Sequence, residues 1–360
     1  MSKILINLAG LTSQSTGLSR YTRSLLPYFS SDTSTLLSSQ PYKDYTCYQI
    51  PDNLSPQLGP KGHLNRLTWT QFKLPSIYTA LKAKILFSPI SEAPLWSKCR
   101  SVVMIHDFIP LRFPRRSSPL IPYHRYYVPQ VLKQAKHIVC NSEATAQDII
   151  DFCQIPNNKI TFIPLAYDAQ HFQPKVANNN SLNQPYFLFI GRHDLHKNIG
   201  RIISAIAKLN NCDEYQLLLV GPVDDRHTPL LRQQIAELGL GERVKFLDYI
   251  PYEDLPRVIS EAIALVFPSL WEGFGLPILE AMGCGTPVIT SNLASMPEVA
   301  GDAAILVDPY NTAEIADAMQ AIADDSQLRA KLSELGLARA KQFSWEKTGK
   351  ATVEVLERFL

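Results

Sequence analysis

Short apolar runs alternate with amphipathic stretches along almost the whole chain. This alternation is typical of βαβ units, in which helices cover both faces of a parallel sheet. A polar, asparagine-rich segment, 173–185, separates two sets of runs and has the composition of a linker. The chain is therefore expected to form two doubly wound α/β domains. The predicted strands are Ile4–Leu8, Ile85–Ser88, Val102–His106, His137–Cys140 and Ile160–Ile163 in the first, and Tyr186–Ile190, Gln216–Val220, Val244–Leu247, Ala264–Phe267, Pro287–Ser291 and Ala304–Val307 in the second.

The length of the chain supports this division. Hydrophobic cores stop growing at about 250–300 residues, and this chain has 360. We expect a first domain over 1–172, the linker over 173–185 and a second domain over 186–343. A last helix is expected at about 344–360, with Ser344 as its cap. Because doubly wound sheets bind ligands at the carboxyl ends of their strands, a cleft between two facing domains is the expected site.

The cysteines and the N-terminal residues favour a location in the cytoplasm. The six cysteines contain no C-x-x-C pair, which is typical of reduced thiols in an intracellular protein. The first ten residues contain an apolar run of only about five residues, which is too short for a signal peptide or a membrane span. We therefore expect a cytoplasmic protein.

Charge is distributed unevenly between the two halves. Residues 1–172 hold 18 lysines and arginines against 9 acidic residues, so the first half favours anionic surfaces. Within it, the segment 111–127 interleaves cations with aromatic residues and prolines. That mixture suits a sugar acceptor, anionic lipid headgroups or nucleic acid, or else a packed loop with solvated arginines. The overall charge of +2 disfavours nucleic acid.

Two carboxylates flank a glycine-rich turn in the stretch 271–280, which reads W-E-G-F-G-L-P-I-L-E. Pro277 suits the first position of a helix, where no amide donor is needed. The turn and the positive end of the helix dipole favour a diphosphate, and Glu272 and Glu280 would accept hydrogen bonds from hydroxyl groups on either side of it. The alternative is a pair of solvated acids. The residues that would present their backbone to the ligand are Gly273, Phe274, Gly275 and Leu276.

Two cations follow the predicted strand Tyr186–Ile190. Arg192 and Lys197 lie five residues apart, before a helix expected near Asn198. Arginine supplies a bidentate fork and lysine a compact charge, a frequent combination around a diphosphate. A solvated charged loop is the alternative.

Two weaker candidates lie in the first half. His106, followed by Asp107, ends a predicted strand, where it would contact a sugar hydroxyl or serve only as a structural group. Gly17 lies between the first strand and the first helix, where a glycine lets backbone amides approach a phosphate, although an ordinary turn is as good an explanation.

Several motifs are missing from the sequence. No G-x-G-x-x-G fingerprint is present, which disfavours a nicotinamide enzyme. No D-x-D, H-x-x-x-H, G-x-S-x-G or P-loop motif occurs, so no metal site, serine hydrolase or nucleoside triphosphatase is predicted.

Together these motifs resemble the retaining glycosyltransferases of family four, which have the GT-B fold of two facing Rossmann-like domains. The resemblance implies a nucleotide-diphosphate sugar held mainly by the second domain, an acceptor held mainly by the first, and a terminal helix that packs back on the first domain. The sequence departs from the family pattern at 15–17, where S-T-G replaces the usual glycine-glycine turn. The segments that carry the resemblance are 272–280 (E-x7-E), 191–198, 106–110, 297–302 and 343–346.

The resemblance also implies a role for each candidate residue. Arg192 and Lys197 would clamp the diphosphate and neutralise the departing nucleotide. Glu272, with the amides of 273–276, would hold the donor sugar and the β-phosphate, while Glu280 would accept from the ribose hydroxyls. The remaining contacts would come from His106 to the sugar, Gly17 near the diphosphate, and Tyr249 and Ile250 beside the base.

The function implied is a retaining, metal-independent transfer of a hexosyl unit to a glycan or lipid-linked acceptor in exopolysaccharide or surface polysaccharide synthesis. A UDP-sugar is slightly favoured as donor over GDP-mannose, and no cofactor is expected. The basic first half favours peripheral contact with the anionic inner membrane face. Three alternatives remain open: a nucleotide-sugar epimerase or sugar phosphorylase on the same fold, a catalytically silent binding subunit, and a nucleic-acid-binding protein.

Overall fold

The computed structural model describes residues 3–12, 17–115, 118–175, 184–210 and 212–360. Two compact units are present. The first is Met1–Leu165 together with Trp345–Leu360, and the second is Ala166–Ser344. The division thus falls between Leu165 and Ala166, and most of the expected linker 173–185 lies outside the described residues.

The first unit contains a seven-stranded parallel sheet in the order β3-β2-β1-β4-β5-β6-β7. Its strands are β1 (Ile4–Asn7), β2 (Ser34–Ser38), β3 (Thr46–Gln49), β4 (Ile85–Ser88), β5 (Ser101–Ile105), β6 (His137–Cys140) and β7 (Ile160–Phe162). Its helices are α1 (Gly17–Leu25), α2 (Gly59–Phe72), α3 (Leu74–Ala80), α4 (Ile109–Arg112), α5 (Leu120–Pro122), α6 (Val128–Gln134) and α7 (Glu143–Cys153), with a π-helical turn at Tyr123–Tyr127.

Strands β2 and β3 were not predicted from the sequence. Strand β2 is fully buried, but only two of its five residues are large and apolar. Strand β3 lies at the edge of the sheet, where most of its side chains are exposed, so it lacks an apolar pattern. The other five strands agree with the predicted runs to within one residue at each end.

The second unit contains a six-stranded parallel sheet in the order β10-β9-β8-β11-β12-β13. All six strands agree with the predicted runs to within one residue. They are β8 (Tyr186–Ile190), β9 (Gln216–Val220), β10 (Val244–Leu247), β11 (Ala264–Phe267), β12 (Val288–Ser291) and β13 (Ile305–Val307). The helices are α8 (Ile199–Ile206), α9 (Thr228–Glu237), α10 (Leu255–Ser260), α11 (Leu276–Gly283), α12 (Met296–Ala300), α13 (Thr312–Asp324) and α14 (Ser326–Ala340).

The last helix, α15 (Trp345–Glu357), belongs to the first unit. Thr348 Oγ1 donates to the backbone oxygen of Pro164 over 2.8 Å. Gly349 packs so closely on the ring of Tyr28 that an added Cβ would lie 2.2 Å from it. A glycine is therefore needed where α15 meets the rest of this unit.

Strand order defines a switch point in each sheet. In the first sheet the chain runs outward in opposite directions from β1 and β4, and in the second from β8 and β11. Doubly wound sheets bind ligands at such points, beyond the carboxyl ends of the strands. Within the described residues, no helix is long and apolar enough to cross a membrane.

Candidate active site

The loops that follow β8 and β11 are tied together at the switch point of the second sheet. The Asn198 side chain donates to the backbone oxygens of Pro268, over 2.9 Å, and Pro309, over 2.7 Å. The Leu270 amide donates to the His196 oxygen over 2.7 Å. Asn198 has a φ of +62°, a left-handed conformation that asparagine tolerates better than most residues. These bonds hold the segment 192–198 against the segment that carries Glu272.

Lys197 and Glu272 make the central contact of this site. Lys197 Nζ donates to Glu272 Oε1 over 2.7 Å, and the two side chains are only 15% and 10% exposed. The ammonium group also lies 4.9 Å from the centre of the Phe267 ring. Because solvent screens this pair weakly, its electrostatic interactions are stronger than those of a surface pair.

The turn after Glu272 is stabilised by hydrogen bonds from Ser295. The Ser295 hydroxyl, which is fully buried, lies 3.0 Å from the backbone oxygen of Glu272 and 2.8 Å from that of Phe274. Gly275, with a φ of +109°, then leads into α11. A side chain would be strained at that φ, so the glycine is required by the backbone. The turn therefore enters the helix in one defined conformation.

Helix α11 begins at Leu276, one residue before the predicted Pro277, which lies in its first turn. The first amides of a helix have no acceptor within it and carry partial positive charge. Glu280 lies in the second turn and is 7% exposed. Neither glutamate of the motif is the solvated surface acid that was the alternative.

Arg192 lies in a different electrostatic setting from Lys197. Its side chain is 57% exposed, with Nε 3.4 Å from Asp194 and Nη2 4.0 Å from Asp224. Asp224 also accepts from Arg226 Nη2 over 2.8 Å, and this hydrogen bond is the main reason that the pKa of Asp224 lies well below its usual range. The ionised Asp224 thus holds two arginines at the ends of β8 and β9.

Glycines allow the loops after β8 and β9 to approach each other. A Cβ added to Gly221 would lie 2.2 Å from the backbone oxygen of Gly191. The Gly191 amide donates to the Val220 oxygen over 2.9 Å, which continues the pairing of β8 with β9. The loops that carry Arg192 and Arg226 therefore begin close together.

Tyr249 and Ile250 follow β10, which β9 separates from the switch-point strand β8. Tyr249 is 81% exposed, and Ile250 is partly buried. Both lie beyond the same edge of the second sheet as Lys197.

In the first unit, His106 follows β5 and has a defined tautomer. Its Nε2 lies 3.0 Å from the backbone oxygen of Pro89, which can only accept, so Nε2 carries the hydrogen and Nδ1 is the acceptor. Burial lowers the pKa of His106, and the imidazole is therefore neutral near pH 7. Asp107 Oδ1 accepts from the Ile109 amide over 3.0 Å, at the start of α4. Gly17 is the exposed first residue of α1.

The basic and aromatic segment 111–127 is partly packed and partly exposed. Arg112 forms an ion pair with the buried Asp148. Tyr126 is 64% exposed, while Tyr127 donates to the Ala93 oxygen over 2.9 Å. Arg116 lies outside the described residues. Across the described part of the chain, no group of three or more His, Cys, Asp or Glu side chains is arranged to hold a metal ion.

Comparison with known proteins identifies the family. Residues 172–339 match the family model "Glycosyl transferases group 1", and residues 16–171 match "Glycosyltransferase Family 4". The chain is 34% identical over 266 residues to O-antigen chain mannosyltransferase B of Escherichia coli, covering 71% of this chain and 69% of that protein. This chain is a family 4 glycosyltransferase. The predicted family and the predicted GT-B fold are both confirmed, and the enzyme is a hexosyltransferase.

Two further relatives cover more of this glycosyltransferase. O-antigen chain mannosyltransferase RfbU of Salmonella typhimurium is 27% identical over 321 residues, covering 85% of this chain and 87% of that protein. A sucrose-phosphate synthase from Thermosynechococcus elongatus has a TM-score of 0.79 at 20% identity and covers 99% of each chain. At that identity the solved structure supports the fold alone.

The sequence did not reveal two residues of this glycosyltransferase site. Ser295 and Arg226 reach the site only through contacts between segments that are distant in sequence. For Arg226, the available signal was a cation shortly after the predicted strand Gln216–Val220, by analogy with Arg192 after the preceding strand.

Proposed function

We propose that this hexosyltransferase transfers a mannosyl unit from a nucleotide-diphosphate donor to a glycan or lipid-linked acceptor in surface polysaccharide synthesis, with retention of configuration. The observation that carries the proposal is the buried contact between Lys197 and Glu272 at the switch point of the second sheet. It brings a cation together with Glu272, the acid that we propose binds the donor sugar, in the segment that leads into α11.

In the proposed reaction, the departing nucleoside diphosphate gains negative charge as the bond to the sugar breaks. Lys197 and the first amides of α11 are fixed positive groups that stabilise this charge without reorganisation. Arg192 and Arg226 add positive charge from the neighbouring loops. We therefore propose that transfer requires no metal ion.

The two acids of the motif have separate proposed tasks. Glu272 accepts from Lys197 through one oxygen, and we propose that it accepts hydrogen bonds from donor sugar hydroxyls and does not act as a nucleophile. Glu280 is buried one turn into α11 and is proposed to accept from the ribose hydroxyls. An acid on each side of the anion-binding turn suits the two hydroxyl-bearing ends of a nucleotide sugar.

The relatives favour a mannosyl donor. Both O-antigen relatives described above are named as mannosyltransferases. From the sequence alone, a UDP-sugar was slightly favoured over GDP-mannose. We therefore propose GDP-mannose as the first donor to test.

The test is a panel of GDP-mannose, UDP-glucose, UDP-galactose and ADP-glucose, each incubated with a lipid-linked acceptor and EDTA. We expect GDP-mannose to give a product with the anomeric configuration of the donor. A donor at 100 times its dissociation constant should also stabilise the protein by about 2.7 kcal/mol. Absence of transfer from every donor, an inverted product, or turnover that needs phosphate instead of an acceptor would contradict the proposal.

A Glu280→Gln variant separates donor binding from catalysis. A hydrogen bond to a charged group contributes about 1.5–3 kcal/mol, so the dissociation constant of the donor should rise about 10- to 100-fold. Glu334→Gln, which changes an exposed glutamate in the same unit, is the matched control and should bind as the parent does. Equal donor affinity in both variants would remove Glu280 from the donor site.

We also propose that the first unit contacts an anionic membrane through three exposed aromatic residues, Phe72, Trp96 and Tyr126, which we term the aromatic surface. They are 76%, 84% and 64% exposed. The Gln71 side chain joins their three segments, because it bonds to the Leu95 amide, over 2.9 Å, and to the Tyr127 hydroxyl, over 3.0 Å.

Exposed cations accompany each residue of the aromatic surface, namely Lys73, Lys98 and Arg125. Aromatic rings beside cations suit the boundary between anionic headgroups and acyl chains. This arrangement supports contact with the inner membrane face, where lipid-linked acceptors would be met.

Trp96→Ser is expected to reduce sedimentation of the protein with vesicles of phosphatidylcholine and phosphatidylglycerol, because it removes the most exposed ring. Binding to pure phosphatidylcholine should be weak throughout, and salt should weaken binding to the mixed vesicles. Tyr310→Ser removes a ring that is 58% exposed in the second unit and serves as the control. Equal sedimentation of both variants would contradict the proposed surface.

A further inference from the structure

The first unit contains a pocket of about 700 Å³ at the switch point of its own sheet. Gly10 and Thr12, which follow β1, form part of its lining, and the segment Ile90–Glu92, which follows β4, forms another part. Helix α2 supplies a further wall. The volume lies within the range of small-molecule sites.

A buried ion pair lies in the lining of this pocket. Arg66 donates through Nε and Nη2 to the two oxygens of Glu92, over 2.8 and 2.7 Å, and the two residues are 4% and 2% exposed. Arg66 also contacts His63 Nδ1 at 2.9 Å and the Leu54 oxygen at 3.4 Å. These contacts use the Nε hydrogen, both Nη2 hydrogens and one at Nη1. Most of the guanidinium N–H groups are therefore already hydrogen-bonded within the protein, so Arg66 is poorly placed to bind an anion.

His63 has a defined tautomer because Arg66 can only donate. Its Nδ1 accepts from Arg66, so its Nε2 carries the hydrogen. Burial, followed by the charge of Arg66, lowers the pKa of His63, so the ring is neutral near pH 7. His63 thus contributes one neutral donor to the lining.

The remaining polar groups of the pocket are also uncharged. The Tyr123 hydroxyl lies 2.9 Å from Ser91 Oγ, and burial, with the nearby Glu92 charge, raises the pKa of Tyr123 well above its usual range. Among the described lining residues, Arg66 and Glu92 are the charged ones and cancel each other. The apolar lining consists of Leu18, Pro56, Pro60, Leu64, Leu67, Ile90, Pro119 and Leu120.

We propose that this pocket binds an uncharged sugar residue of the acceptor and selects against acidic or phosphorylated sugars. Its apolar walls suit the C–H faces of a pyranose ring, and its neutral donors and acceptors suit the hydroxyl groups. A carboxylate or phosphate would be desolvated there without a free cation, which is costly. This inference rests on the proposed glycosyl transfer, because the proposed pocket defines the chemical class of the acceptor in that reaction.

The binding test uses saturation-transfer NMR on the full chain without donor. Methyl α-D-mannopyranoside is the neutral probe, and mannose 6-phosphate and glucuronate are the charged probes. We expect transfer to the neutral probe and little to the charged ones. Equal or stronger transfer to the charged probes would overturn the proposal.

A Leu64→Lys variant tests the charge argument without disturbing the core, since Leu64 is 65% exposed in the parent. The added cation at the pocket should raise transfer to mannose 6-phosphate. Leu335→Lys, which changes an exposed leucine of the second unit, is the matched control and should not do so. Identical probe binding by both variants would place the sugar elsewhere and overturn the proposal.

Kinetics link the pocket to the acceptor. His63→Leu removes the Nε2 donor and is expected to raise the KM for a neutral acceptor about five- to tenfold, with the donor dissociation constant unchanged. His63→Gln keeps both a donor and an acceptor and should restore most of the affinity. An unchanged KM in His63→Leu overturns the pocket proposal while transfer itself still supports the proposed function. If no nucleotide sugar reacts, but the parent binds the neutral probe and Leu64→Lys raises transfer to mannose 6-phosphate, the proposed function fails and the sugar pocket stands.

Discussion

Lys197→Met is expected to lower kcat/KM about 10²- to 10³-fold, with most of the loss in kcat, because it removes a preorganised charge that stabilises the leaving group. The methionine keeps much of the side-chain volume. It also leaves Glu272, whose side chain is 10% exposed, without its ammonium partner. Steady-state kinetics with the preferred donor, at saturating acceptor, measures the effect.

Two variants distinguish the effect of losing the Lys197 charge from the effect of leaving the Glu272 carboxylate unpaired. In Lys197→Met/Glu272→Gln the unpaired carboxylate is gone, and we expect the rate to stay low because the cation is still missing. Lys331→Met changes an exposed lysine in the same unit and should react as the parent does. A kcat/KM for Lys197→Met within threefold of the parent value would contradict the proposed charge stabilisation.

Glu92→Ala is expected to lower the free energy of unfolding of the first unit by about 3–5 kcal/mol, since it leaves the Arg66 guanidinium buried without a counter-charge. The bidentate hydrogen bonds to Glu92 are lost as well. Urea unfolding measures the change as a lower midpoint with an unchanged slope.

The paired replacement Arg66→Met/Glu92→Leu should recover much of this loss, because both charges are then absent from the interior. Glu354→Ala breaks an exposed ion pair between Glu354, on α15, and Arg358, just after that helix. It should leave the midpoint almost unchanged, because solvent already screens that pair. Equal midpoints for Glu92→Ala and Glu354→Ala would mean that burial does not make the Arg66–Glu92 pair structurally important.

The four inner strands of the second sheet, β8, β9, β11 and β12, could be predicted closely because they are mainly apolar and almost wholly buried. Strand β8, with the sequence Y-F-L-F-I, shows this pattern clearly. The edge strand β3 could not be predicted, since most of its side chains are exposed and only its pairing with β2 makes it part of the sheet. The hydrophobic pattern of a sequence reveals strands that are buried, and it does not reveal a strand whose side chains are exposed.

The carboxylate pair and the two cations could be recognised because their spacing along the chain is itself the signal. Their geometry could not be predicted to the same depth. From the sequence, Arg192 and Lys197 were both predicted to face one diphosphate. In the structure Lys197 is buried against Glu272, whereas Arg192 is largely exposed beside Asp224. The difference arises from the loop between them, which Asn198 holds against the segment after β11.

The sequence by itself determined the family, the two doubly wound sheets and the chain segments that end at their carboxyl edges, because local apolar patterns and fixed spacings encode these features. Only the tertiary structure decided which of the residues on those segments meet. Arg66 and Glu92 are 26 positions apart, and Ser295 lies 23 positions from Glu272. Such contacts depend on how helices and loops pack over the sheet, which no local pattern records.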